Sequence, residues 1–215
     1  MVQKERARRG RPRAYDPDQA LAQATAAFWD AGYSATSLDD LSAATGMNRP
    51  SLYGAFGDKR ALYLKSIEGY RTMAQAAMQK SLRYEGSLRE ALGELYDRAI
   101  SLYLSGEHGA RGCLLTSTAA TEAVMDPDIR RAARAALEEI DAAFEARIRY
   151  GRDHRDLPRS ADPAMLGKLA SAILHTLSIR ARTGAPRALL EAIAGSGVEL
   201  ICGAVGPRRR KIAAR

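Results

Sequence analysis

The stretch that decides the fold runs from Thr45 to Phe56 and reads TGMNRPSLYGAF. It carries two glycines and a proline in twelve residues, which is poor composition for a helix chosen for its own stability. The residues before it explain why it is there. Ser37 with Asp40 three positions on forms a capping box, Leu38 and Leu41 face inward, and Thr45-Gly46 ends that helix. A second helix starts at Asn48 or Arg49. The turn between them is about three or four residues long and contains glycine, the spacing of a helix-turn-helix. Met47 packs into the angle, and Leu52 and Phe56, four apart, face the core together. Pro50 costs nothing in a first turn, where its missing N–H has no partner to lose.

Asn48, Arg49, Ser51 and Tyr53 are left facing outward. All four can donate hydrogen bonds, and no acid lies between Asp40 and Asp58, as suits a face that meets phosphates. Arg49 has the fork for guanine or phosphate. Asn48 and Ser51 can reach bases or phosphates, and Tyr53 offers a hydroxyl and a ring. Lys59, at the start of the next helix, and Ser37, capping the previous one, are placed as backbone clamps.

Working outward, helical signals dominate and strand signals are nearly absent. Asp16-Pro17 opens a first helix through Leu21, Ala24, Phe28 and Ala31, and Gly32 stops it. Asp58 caps a long helix through Leu62, Ile67, Tyr70 and Met73 to about Arg83. Further helices are expected at Ser87–Leu104, Ala110–Val124, Pro127–Arg152, Pro163–Arg182 and Pro186–Cys202. The fold class is all-α: a three-helix head joined by a long helix to a helical body. The expected division is a flexible basic arm at 1–14, a helix-turn-helix domain at 15–60, a helical body at 61–205 and a basic tail at 206–215.

The 215-residue chain has a net charge of +8, concentrated at its ends. Six basic residues face only Glu5 in the first thirteen positions, and five more stand without an acid from Arg208 onward. The chain between is slightly acidic. Basic ends suggest a polyanion, either nucleic acid or an anionic membrane, with solubilising ends as the plain alternative. Two cysteines, Cys113 and Cys202, make no disulfide framework. No secretory pattern follows the basic start, and no apolar run approaches the ~20 residues of a membrane span, so a cytoplasmic protein is expected. His108, His154 and His175 lack metal-ligand spacing. With no nucleophile–base pairing, phosphate loop or dinucleotide fingerprint either, enzymes and cofactors are not expected.

The run ALAQATAAFWDAGYSATSLDDLSAATGMNRPSLYGAFGDKRALY resembles the DNA-binding domain of the TetR family of bacterial transcriptional regulators. Ala24, Phe28, Gly32-Tyr33, Ser37, Leu38, Leu41, Gly46-Met47, Leu52-Tyr53, Phe56, Lys59 and Leu62 carry the likeness, over roughly residues 12 to 65. Ala55 departs from it, standing where the family often has histidine. The resemblance implies a homodimer whose heads read successive major grooves of a near-palindromic double-stranded DNA operator. It also implies an all-helical C-terminal domain for ligand binding and dimerisation. Upstream, Gly10 and Pro12 prevent a continuous helix, so Arg11 and Arg13 either enter an adjacent minor groove or attract phosphates diffusely.

In proteins of this type the last two helices pair with their symmetry mates. Here one apolar face comprises Leu166, Leu169, Ile173, Leu174 and Leu177, and the other Leu189, Leu190, Ile193, Leu200 and Ile201, with Gly195-Ser196-Gly197 permitting close approach. Candidates for an effector pocket are Tyr70, Met73, Tyr96, Tyr103, Cys113, Thr116, Phe144 and His175. Cys113, read as lying just inside a helix start beside Arg111, is a reactive thiol or a small buried hydrophobe; the second fits its isolation better. The leading reading is a dimeric repressor released from its operator by an unknown small molecule. The alternative is a constitutive or architectural DNA-binding protein.

Overall fold

The computed structural model describes residues 15–83, 86–106 and 109–203. Arg11 and Arg13, His108 and the basic tail lie outside the described residues. Those described fold as helices: α1 (Pro17–Ala31), α2 (Leu38–Thr45), α3 (Arg49–Phe56), α4 (Lys59–Leu82), α5 (Leu88–Tyr103), a π-helical segment (Leu115–Ala119), α6 (Ala120–Glu122), α7 (Pro127–Asp153), α8 (Pro163–Arg182) and α9 (Arg187–Gly203).

The helix starts follow their caps. Asp16, Ser37, Asn48, Asp58, Ser87, Asp126 and Asp162 each accept a first-turn N–H through their side chains. Such a cap stabilises a helix by about 1 kcal/mol, which matters most for the eight-residue α2 and α3. Gly46 ends α2 at φ +65, a left-handed conformation that suits glycine.

The head closes on Ala24, Phe28, Leu41, Met47, Leu52, Phe56 and Tyr63, all buried. The body core includes Leu88, Leu92, Tyr96, Ile100, Phe144, Ile148, Leu177 and Ile201. At roughly 1.5–3 kcal/mol for each large side chain buried, these clusters supply the main drive to fold.

The expected helix at Ala110–Val124 does not form as one element. Residues 111–113 are irregular, a π-helical turn follows, and α6 is a single turn. Gly112 sits at φ +64, and a Cβ there would meet the Ser178 carbonyl oxygen at 2.8 Å. The Thr118 hydroxyl donates back to the Leu114 carbonyl at 2.9 Å. Such back-bonding competes with regular helix, and π-turns occur mostly as single interruptions. Cys113 therefore precedes the helix start and does not lie inside it.

The apolar faces expected on α8 and α9 divide. Leu174, Leu177, Leu190 and Ile201 are buried within the protomer. Leu166, Leu169, Ile173 and Ile193 are half-buried against the core. Leu189 and Leu200 are exposed, together with Met165 and Ile179, which the face assignment omitted.

Candidate nucleic-acid interface and body cavity

On α3, Leu52 and Phe56 are buried and Asn48, Arg49 and Tyr53 are exposed, Tyr53 at 47%. Ser51 is half-buried. Asn48 Oδ1 accepts the Ser51 N–H at 2.9 Å, which leaves the amide donors of Asn48 free to point outward. Ser37 is more occupied than its sequence suggested. Its N–H and hydroxyl both donate to Asp40 Oδ2, at 2.8 and 2.7 Å. These two bonds hold the Asp40 carboxyl below its ordinary range.

Arg49 is not a free cation. Its Nε and Nη2 donate to the two carboxylate oxygens of Asp39, at 3.0 and 2.6 Å, and that contact raises the guanidinium's pKa. Reading α3 alone as cleared of acids missed Asp39, which the turn brings alongside from the first turn of α2. Both partners are exposed, so the pair is weak and exchangeable. Lys59 lies 4.3 Å above the Tyr33 ring. Burial there lowers its pKa, and its ammonium sits against the ring face.

Behind the head, residues 111–118 join three helices. The Trp29 indole N–H donates to the Gly112 carbonyl at 3.0 Å. The Arg111 guanidinium stacks 4.0 Å over the same indole. From α8, Arg182 donates to the carbonyls of Trp29, Arg111 and Asp30, at 3.0, 2.9 and 3.1 Å. Thr118, whose proton is committed to Leu114, accepts from the Tyr63 hydroxyl at 2.7 Å. Burial raises the Tyr63 pKa to about 12, so it stays a donor. At the rim Ser34 bonds Glu122 at 2.8 Å, and Arg60 pairs with Asp126 and Asp128. Trp29, Arg182 and Tyr63 were not singled out as functional; one tryptophan in the chain was the sole signal available.

A cavity of about 90 Å³ lies between α4 and α5. Tyr70, Tyr103 and Cys113, three of the pocket candidates, line it. Their neighbours there, Ala74, Met78 and Leu95, carry no chemical signal that separates them from core. The Tyr70 hydroxyl donates to the Cys113 sulfur at 3.1 Å, while the Cys113 N–H donates to Ser178 Oγ at 2.7 Å. Burial, with Cys113 alongside, raises the pKa of both tyrosines, so they enter the cavity as neutral phenols. Thr116 lies just beyond, bonded to Ser178 at 2.8 Å.

The other candidates fall elsewhere. Met73 is 44% exposed, because the cavity face of α4 continues from Tyr70 through Ala74, Ala77, Met78 and Ser81. Tyr96 and Phe144 pack in the core with ring centroids 6.1 Å apart, and the Tyr96 hydroxyl donates to the Ala170 carbonyl. His175 is half-buried on α8 with Nε2 sealed and unpartnered, and burial lowers its pKa. Among the described residues no cluster of His, Cys, Asp or Glu could hold a metal ion, and no helix is long and apolar enough to cross a membrane.

Comparison with known proteins agrees with this geometry. Residues 20–65 match the family of bacterial regulatory proteins of TetR type, and residues 86–195 match the tetracycline repressor-like C-terminal domain. The chain is 30% identical over 193 residues to the HTH-type transcriptional repressor ComR of Escherichia coli K12, covering 89% of this chain and 91% of ComR. It is 34% identical over 116 residues to the repressor BdcR of the same organism, covering 54% and 58%. Among solved structures it is similar to a cysteine mutant of the TetR family regulator CifR complexed with 26-bp operator DNA. That likeness has 32% identity, a TM-score of 0.80 and coverage of 88% of this chain and 98% of CifR. The chain belongs to the TetR family of bacterial regulatory proteins, as a helix-turn-helix transcriptional regulator and not an enzyme.

Proposed function

We propose that two copies of this chain, paired through α8 and α9, bind a near-palindromic operator with α3 and leave it when a small molecule enters the α4–α5 cavity. The observation that carries the reading is the double attachment of residues 112–118. One side of this segment walls the cavity through Cys113. The other side holds the head through Gly112 to Trp29 and Thr118 to Tyr63. A ligand that displaces Cys113 moves both anchors. The π-helical turn supplies a bistable element, since shifting one hydrogen-bond register converts it to α-helix. The ligand must prefer the shifted state for the equilibrium to move.

Exposed Met165, Ile179, Leu189 and Leu200, beside half-buried neighbours, suit the isologous contact of a two-fold dimer. The ligand class follows from the walls, apolar apart from Tyr70, Tyr103, Ser81 and an Arg98 already paired with Glu94: small, uncharged and mostly apolar, with one polar group for Tyr70 or Tyr103. On the DNA side Arg49 exchanges Asp39 for a phosphate or guanine, while Asn48, Ser51 and Tyr53 complete the face and Ser37 and Lys59 flank it. Such a protein works in the cytoplasm. The names of ComR and of the CifR–operator complex support the reading by likeness.

Nuclease footprinting of the DNA flanking the gene tests it. A protected palindrome of two half-sites about one helical turn apart is expected. Diffuse protection with a steep salt slope would instead favour an architectural protein.

A further inference from the structure

Arg182 closes α8 and lies outside the route through Gly112, Cys113 and Thr118. It is half-buried in the last turn of its helix. Its Nη1 donates to the carbonyls of Trp29 and Arg111, at 3.0 and 2.9 Å, and its Nη2 to the carbonyl of Asp30 at 3.1 Å. Trp29 and Asp30 stand in the last turn of α1, where a helix leaves its carbonyls without intrahelical donors. α1 has no basic residue of its own in that turn. The cation that complements this helix end therefore comes from α8, 153 residues on from Trp29.

Among the described residues these are the only hydrogen bonds between α1 and α8. A planar guanidinium that bridges three carbonyls fixes an angle as well as a distance, which a single contact does not. The third carbonyl belongs to Arg111, whose own guanidinium stacks on the Trp29 ring, so the grip is closed from both sides. α1 in turn packs against α2 and α4 within the head. The helix that carries Arg182 also carries exposed Met165 and Ile179, part of the surface proposed to meet a second copy. One side chain thus joins that surface's helix directly to the head.

We infer that Arg182 is a positioning residue for operator recognition: it holds the head at the angle to α8 that sets the separation of the two α3 helices. The inference rests on the proposed operator-binding dimer and is independent of the effector. One base pair added between half-sites moves them apart by about 3.4 Å and turns one against the other by about 35°. A head held at a fixed angle cannot follow, so the dimer discriminates between spacings. A loosened head takes up the placement required by the best spacing less often, which lowers that affinity and evens out the others.

Fluorescence anisotropy tests this with synthetic duplexes of the footprinted palindrome and versions one or two base pairs longer or shorter at its centre. The full chain is compared with Arg182→Lys and Arg182→Met. Lysine keeps the charge and methionine much of the apolar stem, but neither spans three carbonyls. With helix content and dimer mass unchanged, each variant should lose about five- to tenfold in affinity for the native spacing. Its preference for that spacing over the others should shrink by a similar factor. One folded variant suffices. Three results would each overturn the inference: spacing preference unchanged from the unmodified chain, an equal loss at every spacing, or loss of the fold in both variants, which would make Arg182 a support of the body and not of the head's aim. An unmodified chain that itself shows no spacing preference would overturn the operator-binding dimer, and this inference with it.

Discussion

The proposed reading helix α3 and the segment Arg111–Thr118 are both short, and both mix glycine with hydroxyl side chains, yet they spend their polar groups in opposite ways. Around α3 the caps are local. Asn48 bonds Ser51, Ser37 bonds Asp40 and Asp58 bonds Ala61, each three residues apart. Of the outward side chains, Arg49 rests in an exposed, exchangeable pair with Asp39, and Asn48 and Tyr53 are left for a partner. Along residues 111–118 the partners are distant in sequence: Gly112 with Trp29, Cys113 with Ser178, Thr118 with Tyr63. The helix proposed for recognition keeps most of its donors in reserve, whereas the junction uses them to tie elements together.

The sharpest way to break this contrast is to strain the junction. Gly112→Ala puts a Cβ at φ +64 and within 2.9 Å of Ser117 Oγ as well as against the Ser178 carbonyl. The expected cost is about 2–3 kcal/mol, read by calorimetry as a fall in Tm of roughly 5–10 °C. A Tm within a degree of the parent would mean the segment is far looser than its contacts imply.

The next effect belongs to the other region. Tyr53→Ala or Arg49→Ala should weaken operator binding by about 1–3 kcal/mol, with helix content and dimer mass unchanged. Unaltered affinity in both variants would remove α3 from the interface. Thr118→Val deletes the acceptor of the buried Tyr63 hydroxyl and should cost about 1–2 kcal/mol of stability while sparing the α3 surface. Urea unfolding measures it, and a neutral result would mean Tyr63 finds another partner.

The smallest effect has the opposite sign. Asp39→Asn releases Arg49 and removes a negative charge from the reading face. Operator affinity should rise about two- to fivefold at low salt, with the gain shrinking as salt is added. Weaker binding would show that Asp39 positions Arg49 and does not merely hold it in reserve.

These differences also explain what was legible in the sequence. The head could be read because its caps and apolar pairs lie within four residues of one another, as Ser37 with Asp40 and Leu52 with Phe56. The body helices were legible from Asp126-Pro127 and Asp162-Pro163 for the same reason. The break at 111–119 was not, because the apolar spacing continues through it and the Ser178 carbonyl that excludes a side chain at Gly112 comes from α8. In the cavity, Tyr70, Tyr103 and Cys113 stood out by chemistry, but Met73 was placed with them because helical spacing from Tyr70 alone does not choose between positions 73 and 74. Asp39 was overlooked because pairing across a turn of the chain is tertiary information.

The cavity and the head share the segment at 112–118, through Cys113 on one side and Gly112 and Thr118 on the other. Operator affinity, measured by fluorescence anisotropy with and without small neutral aromatic and alkyl compounds that thermal shift shows to bind the body, tests it most directly. A compound bound beside Tyr70 and Cys113 should weaken operator binding about tenfold or more, and Thr118→Val should sharply reduce this coupling. Compounds that fill the cavity and leave operator affinity unchanged would contradict it.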